Sequence, residues 1–145
     1  MLEFGRRVEG VFYVERPGAY AIIQNTSNAI AVVRTRKGYL LPGGGVDPGE
    51  ELESGLRRAI LEELGRESKI FAKLCAAAQF IYDEDERVYY RKVGHFFLAT
   101  LGDKVADPIE ADHELVWFSS DECVKNLAQE FQAWSVRQAF KILAD

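Results

Sequence analysis

Residues 43–65 read GGGVDPGEELESGLRRAILEELG, and the change of pattern within them organises the rest of the chain. The glycine-rich run Pro42-Gly43-Gly44-Gly45 is expected to be a loop leading through Asp47, Pro48 and Gly49. After it, Leu52, Leu56, Ala59, Ile60 and Leu64 recur at three- and four-residue intervals, which predicts an amphipathic helix over residues 50–64 with Gly65 as its stop. Glu62 and Glu63 are adjacent on that helix, roughly 100° apart around its axis, so both reach one site at the helix edge. Arg58 lies one turn before Glu62 and can orient a carboxylate. Glu50 stands at the helix start, behind glycines that allow tight turns and expose backbone N–H groups. Gly43 and Gly44, an acid at the helix entrance and a carboxylate pair together predict a magnesium site. That ion favours oxygen donors and takes one or two carboxylates, while phosphate and water complete its shell.

Working outward, the segment before residue 43 reads as β-structure. Strands are expected at Gly10–Glu15, Gly18–Gln24 and Ala29–Val33, with turns at Pro17-Gly18 and Asn25–Asn28. Beyond the helix, Ser68–Ile81 and Val88–Leu101 predict a long hairpin joined by the charged turn Asp83–Arg87. Leu115–Phe118 is a short strand after an acidic loop, Ser119-Ser120-Asp121 starts a short helix, and Val136, Ala139, Phe140 and Leu143 share one face of a C-terminal helix. The order strands, helix, strands, helix predicts an α/β (α+β) domain with one mixed sheet covered by helices. The aromatics Tyr39, Phe80, Tyr82, Tyr89 and Tyr90 read as packing rather than as a base platform, and His95 as a hydrogen-bonded, partly buried residue.

At 145 residues, with 48% hydrophobic residues, the chain has material for one substantial core, so a single domain spanning 1–145 is expected. A net charge of -5 argues against binding a nucleic-acid polymer, which needs a basic face to displace counterions. An acidic protein still binds a phosphorylated small molecule when a divalent cation bridges the two. Cys75 and Cys123 sit in no metal-binding spacing and read as reduced, buried cysteines. The N-terminal MLEFGRRVEG has no apolar run for a signal peptide, and no stretch reads as a membrane span, so no membrane partner and a cytoplasmic location are expected.

The segment resembles the Nudix box, G-x5-E-x7-R-E-U-x-E-E-x-G-U with U aliphatic. Gly44, Glu50, Arg58, Ile60, Glu62, Glu63 and Gly65 fall in register with it, over a box at 44–66, and Leu41-Pro42-Gly43 resembles its usual approach. The resemblance, to the Nudix hydrolase (MutT/Nudix-like) family, implies an α/β/α sandwich with a mixed β-sheet. It also implies metal-dependent hydrolysis of a pyrophosphate bond in a nucleoside diphosphate linked to another moiety. The implied cofactor is Mg2+ or Mn2+, with Glu62, Glu63, Glu50 and Gly44 at the metal, Gly43 and Gly44 at the substrate, and Arg58 orienting. The implied partner is a nucleoside-diphosphate-like small molecule, with a homodimer left open.

Two positions depart from the pattern. Arg66 replaces an aliphatic residue at the boundary, and Ala59 replaces the glutamate that follows the arginine. In the complete box that glutamate joins the last two as an i, i+3, i+4 set on one helical face; here the set is Glu62 and Glu63. The resemblance points to the acidic loop before Trp117 for a further ligand or base, with Glu114 first, Glu110 second and His113 third. The expected chemistry is in-line attack of an oriented water at phosphorus, with the cation neutralising the diphosphate oxygens. The alternative is a catalytically weakened Nudix-fold protein that binds a nucleotide or regulates, which Ala59 favours. Which nucleotide derivative is bound does not follow from the box.

Overall fold

The computed structural model describes residues 1–109 and 111–143, apart from the side chain of Leu143. Its elements run β1 (Glu3–Phe4), β2 (Val14–Ile23), β3 (Ile30–Thr35), β4 (Gly38–Leu40), β5 (Gly43–Gly45), α1 (Leu52–Leu64), β6 (Arg66–Asp83), β7 (Val88–Lys104), β8 (Glu114–Phe118), α2 (Ser120–Asn126) and α3 (Glu130–Leu143). A five-stranded sheet has the order β1-β6-β7-β2-β5 and a three-stranded sheet the order β4-β3-β8. The first is mixed: β2 runs parallel to β7 and antiparallel to β5. It is the expected mixed sheet, and the second, antiparallel sheet accompanies it.

Alternation along the central strands builds two cores. Tyr20 and Ile22 of β2, Ile30 and Val32 of β3, and Phe96 and Leu98 of β7 pack with Cys123, Phe131 and Val136 of α2 and α3. Their neighbours Ala19, Ala21, Ile23, Ala31, Val33, Phe97 and Ala99 pack on the other side against Leu56, Ile60 and Leu64 of α1. With period two, each strand supplies both cores, and the helices cover opposite faces as an α/β/α sandwich.

The helix α1 begins two residues later than expected, at Leu52. It stops where predicted, on Gly65, whose left-handed φ of 65° suits glycine. Ser119 caps α2 with a reciprocal bond to Glu122. The hairpin β6–β7 is antiparallel and longer than the sequence suggested.

Two expectations fail in the N-terminal region. Residues 10–13 form no strand, and Phe12 is exposed. Pro17-Gly18 is no turn but lies inside β2. The Pro17 carbonyl accepts from Val46 N–H, so the missing proline N–H faces the end of the short β5 rather than the β7 ladder.

The glycine run is also a strand rather than a loop. A Cβ on Gly43, where φ is 134°, would lie 2.2 Å from the Ala19 carbonyl oxygen, so glycine there permits close pairing with β2. Cys123 is buried and Cys75, expected buried, is half-buried; burial pushes their thiols up to about 12 and about 11, which leaves neither a ready nucleophile. The aromatics pack as expected, Tyr82 against its cross-strand partner Tyr89 at 4.6 Å and Tyr39 against Phe118 at 4.9 Å. His95 is half-buried, but its Nδ1 has no hydrogen-bond partner among the described residues. No described helix is long and apolar enough to cross a membrane.

Candidate active site

Arg58 gathers the polar groups of the box. Its guanidinium donates to both oxygens of Glu50, from Nε to Oε2 at 2.8 Å and from Nη2 to Oε1 at 2.9 Å. Nη2 also reaches the Gly45 carbonyl at 3.1 Å, and Nη1 donates to Glu62, one turn along α1, at 3.2 Å. Glu50 therefore does not stand in the helix. It lies in the turn before it, where its own N–H bonds the Asp47 carbonyl and its Oε1 accepts from Asp47 N–H. Arg58, and then the Asp47 N–H, hold the Glu50 carboxyl down at about 2, while Glu50 raises Arg58 further above its ordinary value. The bidentate fork makes Glu50 and Arg58 one rigid unit bracing β5 against α1.

Glu63 faces differently from its neighbour. Its side chain is 12% exposed against 43% for Glu62, and its Oε1 accepts from Gly43 N–H at 2.9 Å. One of the expected glycine N–H groups is thus aimed at a box carboxylate. Ala59, one turn earlier on the same helix, is 5% exposed, so the position where the box pattern carries glutamate faces inward as Glu63 does.

From the loop before β8, His113 meets Glu63, with Nδ1 3.2 Å from Oε2. The approach lacks hydrogen-bond geometry, and this buried Nδ1 has no hydrogen-bond partner among the described residues. Glu114 instead pairs with Arg34, its cross-strand partner on β3, and is more than half exposed. The pleat explains the division: Leu115 packs with the α1 core and Val116 with the opposite one, so residue 113 shares the α1 side and residue 114 the other. Glu110 lies outside the described residues. Sequence reasoning missed Asp47 N–H and the Gly45 carbonyl, because backbone groups carry no residue signal.

The donor chemistry suits a hard divalent cation in part. Glu50 and Glu62 share the Arg58 guanidinium while Glu63 stands against Gly43 N–H and His113, so the carboxylates outnumber the guanidinium, and Mg2+ takes one or two carboxylates beside phosphate and water. The described residues hold no cluster of three or more such donors arranged around one point. Glu62 and Glu63 would hold a cation whose remaining shell comes from the ligand.

Comparison with known proteins gives the family of this fold. The sequence model of the NUDIX domain matches residues 14–140, and the chain belongs to that family. It is 33% identical over 95 residues to a protein of Bacillus subtilis (strain 168) named putative 8-oxo-dGTP diphosphatase; the match covers 64% of this chain and 60% of that relative. A MutT protein from Methanosarcina mazei Go1 superimposes with a TM-score of 0.73 over 92% of this chain and 99% of its own, at 19% identity. A MutT NUDIX hydrolase from Burkholderia pseudomallei does so with a TM-score of 0.64 over 86% and 98%, at 28% identity.

Proposed function

We propose that the protein is a Nudix-type pyrophosphohydrolase that cleaves the pyrophosphate bond of a nucleoside diphosphate linked to another moiety, with Mg2+ or Mn2+ held by Glu62 and Glu63. The observation that carries this reading is the placement of Glu63, fixed by Gly43 N–H against a glycine strand that a phosphate chain can approach closely. When bound, the cation neutralises the diphosphate oxygens and favours attack at phosphorus. The chain's own residues do the positioning. Arg58 orients Glu62 and braces the glycine strand through the Gly45 carbonyl, while Glu63 points inward beside His113 and is the group to orient water. His113, on the α1 side just before β8, takes precedence over Glu114 as the contribution from outside the box. We further propose that residues 1–145 act as one domain, that no nucleic-acid polymer is bound, and that the unpaired cysteines suit the cytoplasm.

The test is release of phosphate or cleaved product from nucleoside diphosphate sugars, ADP-ribose, dinucleoside polyphosphates and ordinary or oxidised nucleoside triphosphates, with each cation, for the protein and Glu63→Gln. Turnover lost in the variant supports the reading. A second reading rests on the inward-facing, buried Ala59: a protein that binds the same ligands without cleaving them. Metal-dependent turnover that Glu63→Gln abolishes rejects it; nucleotide binding without turnover in any arm rejects the enzyme.

A further inference from the structure

On the side of β5 away from α1, the sheet carries an unmatched pair of charges. Arg16 and Lys92 are direct cross-strand partners in the parallel β2–β7 ladder, so two cations stand side by side on one face. Like charges in that relation destabilise a sheet. At the preceding register position, whose side chains point to the opposite face, Glu15 meets Arg91 as an ion pair. The mismatch is therefore confined to one face.

That face borders a cavity of about 180 Å³ lined by Gly43–Gly45, Tyr20, Tyr90 and Gln132 besides the two cations, and a cleft of about 620 Å³ shares Lys92 with it. The carboxylates at the cavity are already engaged. Asp83 pairs with Lys37 and accepts from Glu86 N–H, and the Glu86 carboxylate accepts from the Tyr90 hydroxyl. Among the described residues the Arg16 and Lys92 side chains make no ion pair or hydrogen bond; both rest 6.0 Å from the Tyr90 ring centroid. Burial lowers the Lys92 ammonium pKa, with Lys37 and Arg16 adding to the effect and Asp83 and Glu86 opposing it. Gly45 leaves room for this arrangement, because a Cβ there would lie 2.8 Å from the Arg16 guanidinium.

We propose that Arg16 and Lys92 form a subsite for a phosphoryl group beyond the scissile diphosphate, so that the preferred ligand carries one more phosphate than a plain nucleoside diphosphate derivative. An anion between the two cations converts their repulsion into charge-assisted hydrogen bonds. The same glycines bind Glu63 and Arg58 through Gly43 N–H and the Gly45 carbonyl, so one strand separates this subsite from the box carboxylates. The inference rests on the proposed function for the identity of the ligand, and its test does not require turnover. The extra phosphate comes either from a nucleoside triphosphate or from a phosphate monoester on the linked group.

Equilibrium titration of the metal-free protein with ADP, ATP, ADP-ribose and ADP-ribose 2′-phosphate separates these sources. One phosphorylated ligand of a pair should bind about tenfold tighter than its partner, and the advantage should vanish in Arg16→Gln/Lys92→Met and persist in Lys92→Arg. An advantage for ATP assigns the subsite to a triphosphate, and one for the 2′-phosphate assigns it to a monoester. Circular dichroism establishes that the double variant is folded. Equal affinities within both pairs in the unsubstituted protein, or an advantage that survives in the folded double variant, overturns the proposal. Because cleavage is not measured, failure of the hydrolase reading leaves this result separately readable.

Discussion

Two guanidiniums lie against the same glycine strand and are treated in opposite ways. Arg58, on the α1 side, spends its donors on Glu50, Glu62 and the Gly45 carbonyl. Arg16, on the far side, has an aromatic ring and another cation for neighbours. A saturated arginine is part of the framework, and its fork sets where the strand sits relative to α1. An unsaturated one beside a cavity holds its donors in reserve for a ligand. The difference teaches that an identical residue type against an identical backbone is structural or ligand-ready according to which carboxylates the topology brings to it.

The largest expected effect comes from removing the saturated arginine. Arg58→Ala leaves Glu50 and Glu62 without their common cation and should lower kcat/KM by about a hundredfold, since misplacement of this order costs that much. Steady-state assay on whichever substrate the panel identifies checks it. The comparison breaks if Arg16→Gln, which should mainly weaken ligand affinity, proves as damaging to kcat. Next in size is Ala59→Glu, which restores a carboxylate one turn before Glu63 and should tighten Mn2+ binding about tenfold and raise turnover. Titration followed by manganese electron paramagnetic resonance reads the affinity; weaker binding together with slower turnover would remove Glu62 and Glu63 from the metal site.

A third effect is visible in acid. Because Glu50 is held at about 2 rather than its ordinary 4.5, the Glu50–Arg58 interaction stabilises the fold fully above the ordinary value and is lost as pH falls from there through about 2. Melting temperatures taken across that window should fall less steeply for Glu50→Gln than for the unsubstituted protein. Parallel slopes would mean that the fork contributes nothing to stability. The smallest effect sharpens the contrast on the ladder itself: Glu15→Gln breaks an exposed pair with Arg91 and should cost no more than about 0.5 kcal/mol in chemical denaturation. A larger loss would show that the matched register position matters as much as the mismatched one.

Periodicity and glycine chemistry made much of this arrangement legible beforehand. The apolar spacing of Leu52, Leu56, Ile60 and Leu64 and the left-handed Gly65 are local properties, and α1 follows them closely. The adjacency of Glu62 and Glu63 and the reach of Arg58 to Glu62 follow from helical geometry alone. Other features depend on neighbours. Pro17 reads as a turn until β7 lies alongside it, and Gly43–Gly45 read as a loop until Ala19 is close enough to exclude a side chain. At the entrance to β8, one step of pleat separates His113, at Glu63, from Glu114, at Arg34. Loose spacing carries no information about which face a side chain takes.

The sequence by itself determined the helix, its stop, the carboxylate pair and the family pattern that contains them, because each is set by contacts within a few residues. Tertiary structure alone decided that Gly43 donates to Glu63 and that Arg16 stands opposite Lys92. Those outcomes depend on strand order and register, which are chosen by burial of the whole sandwich; no local stretch encodes a partner tens of residues away.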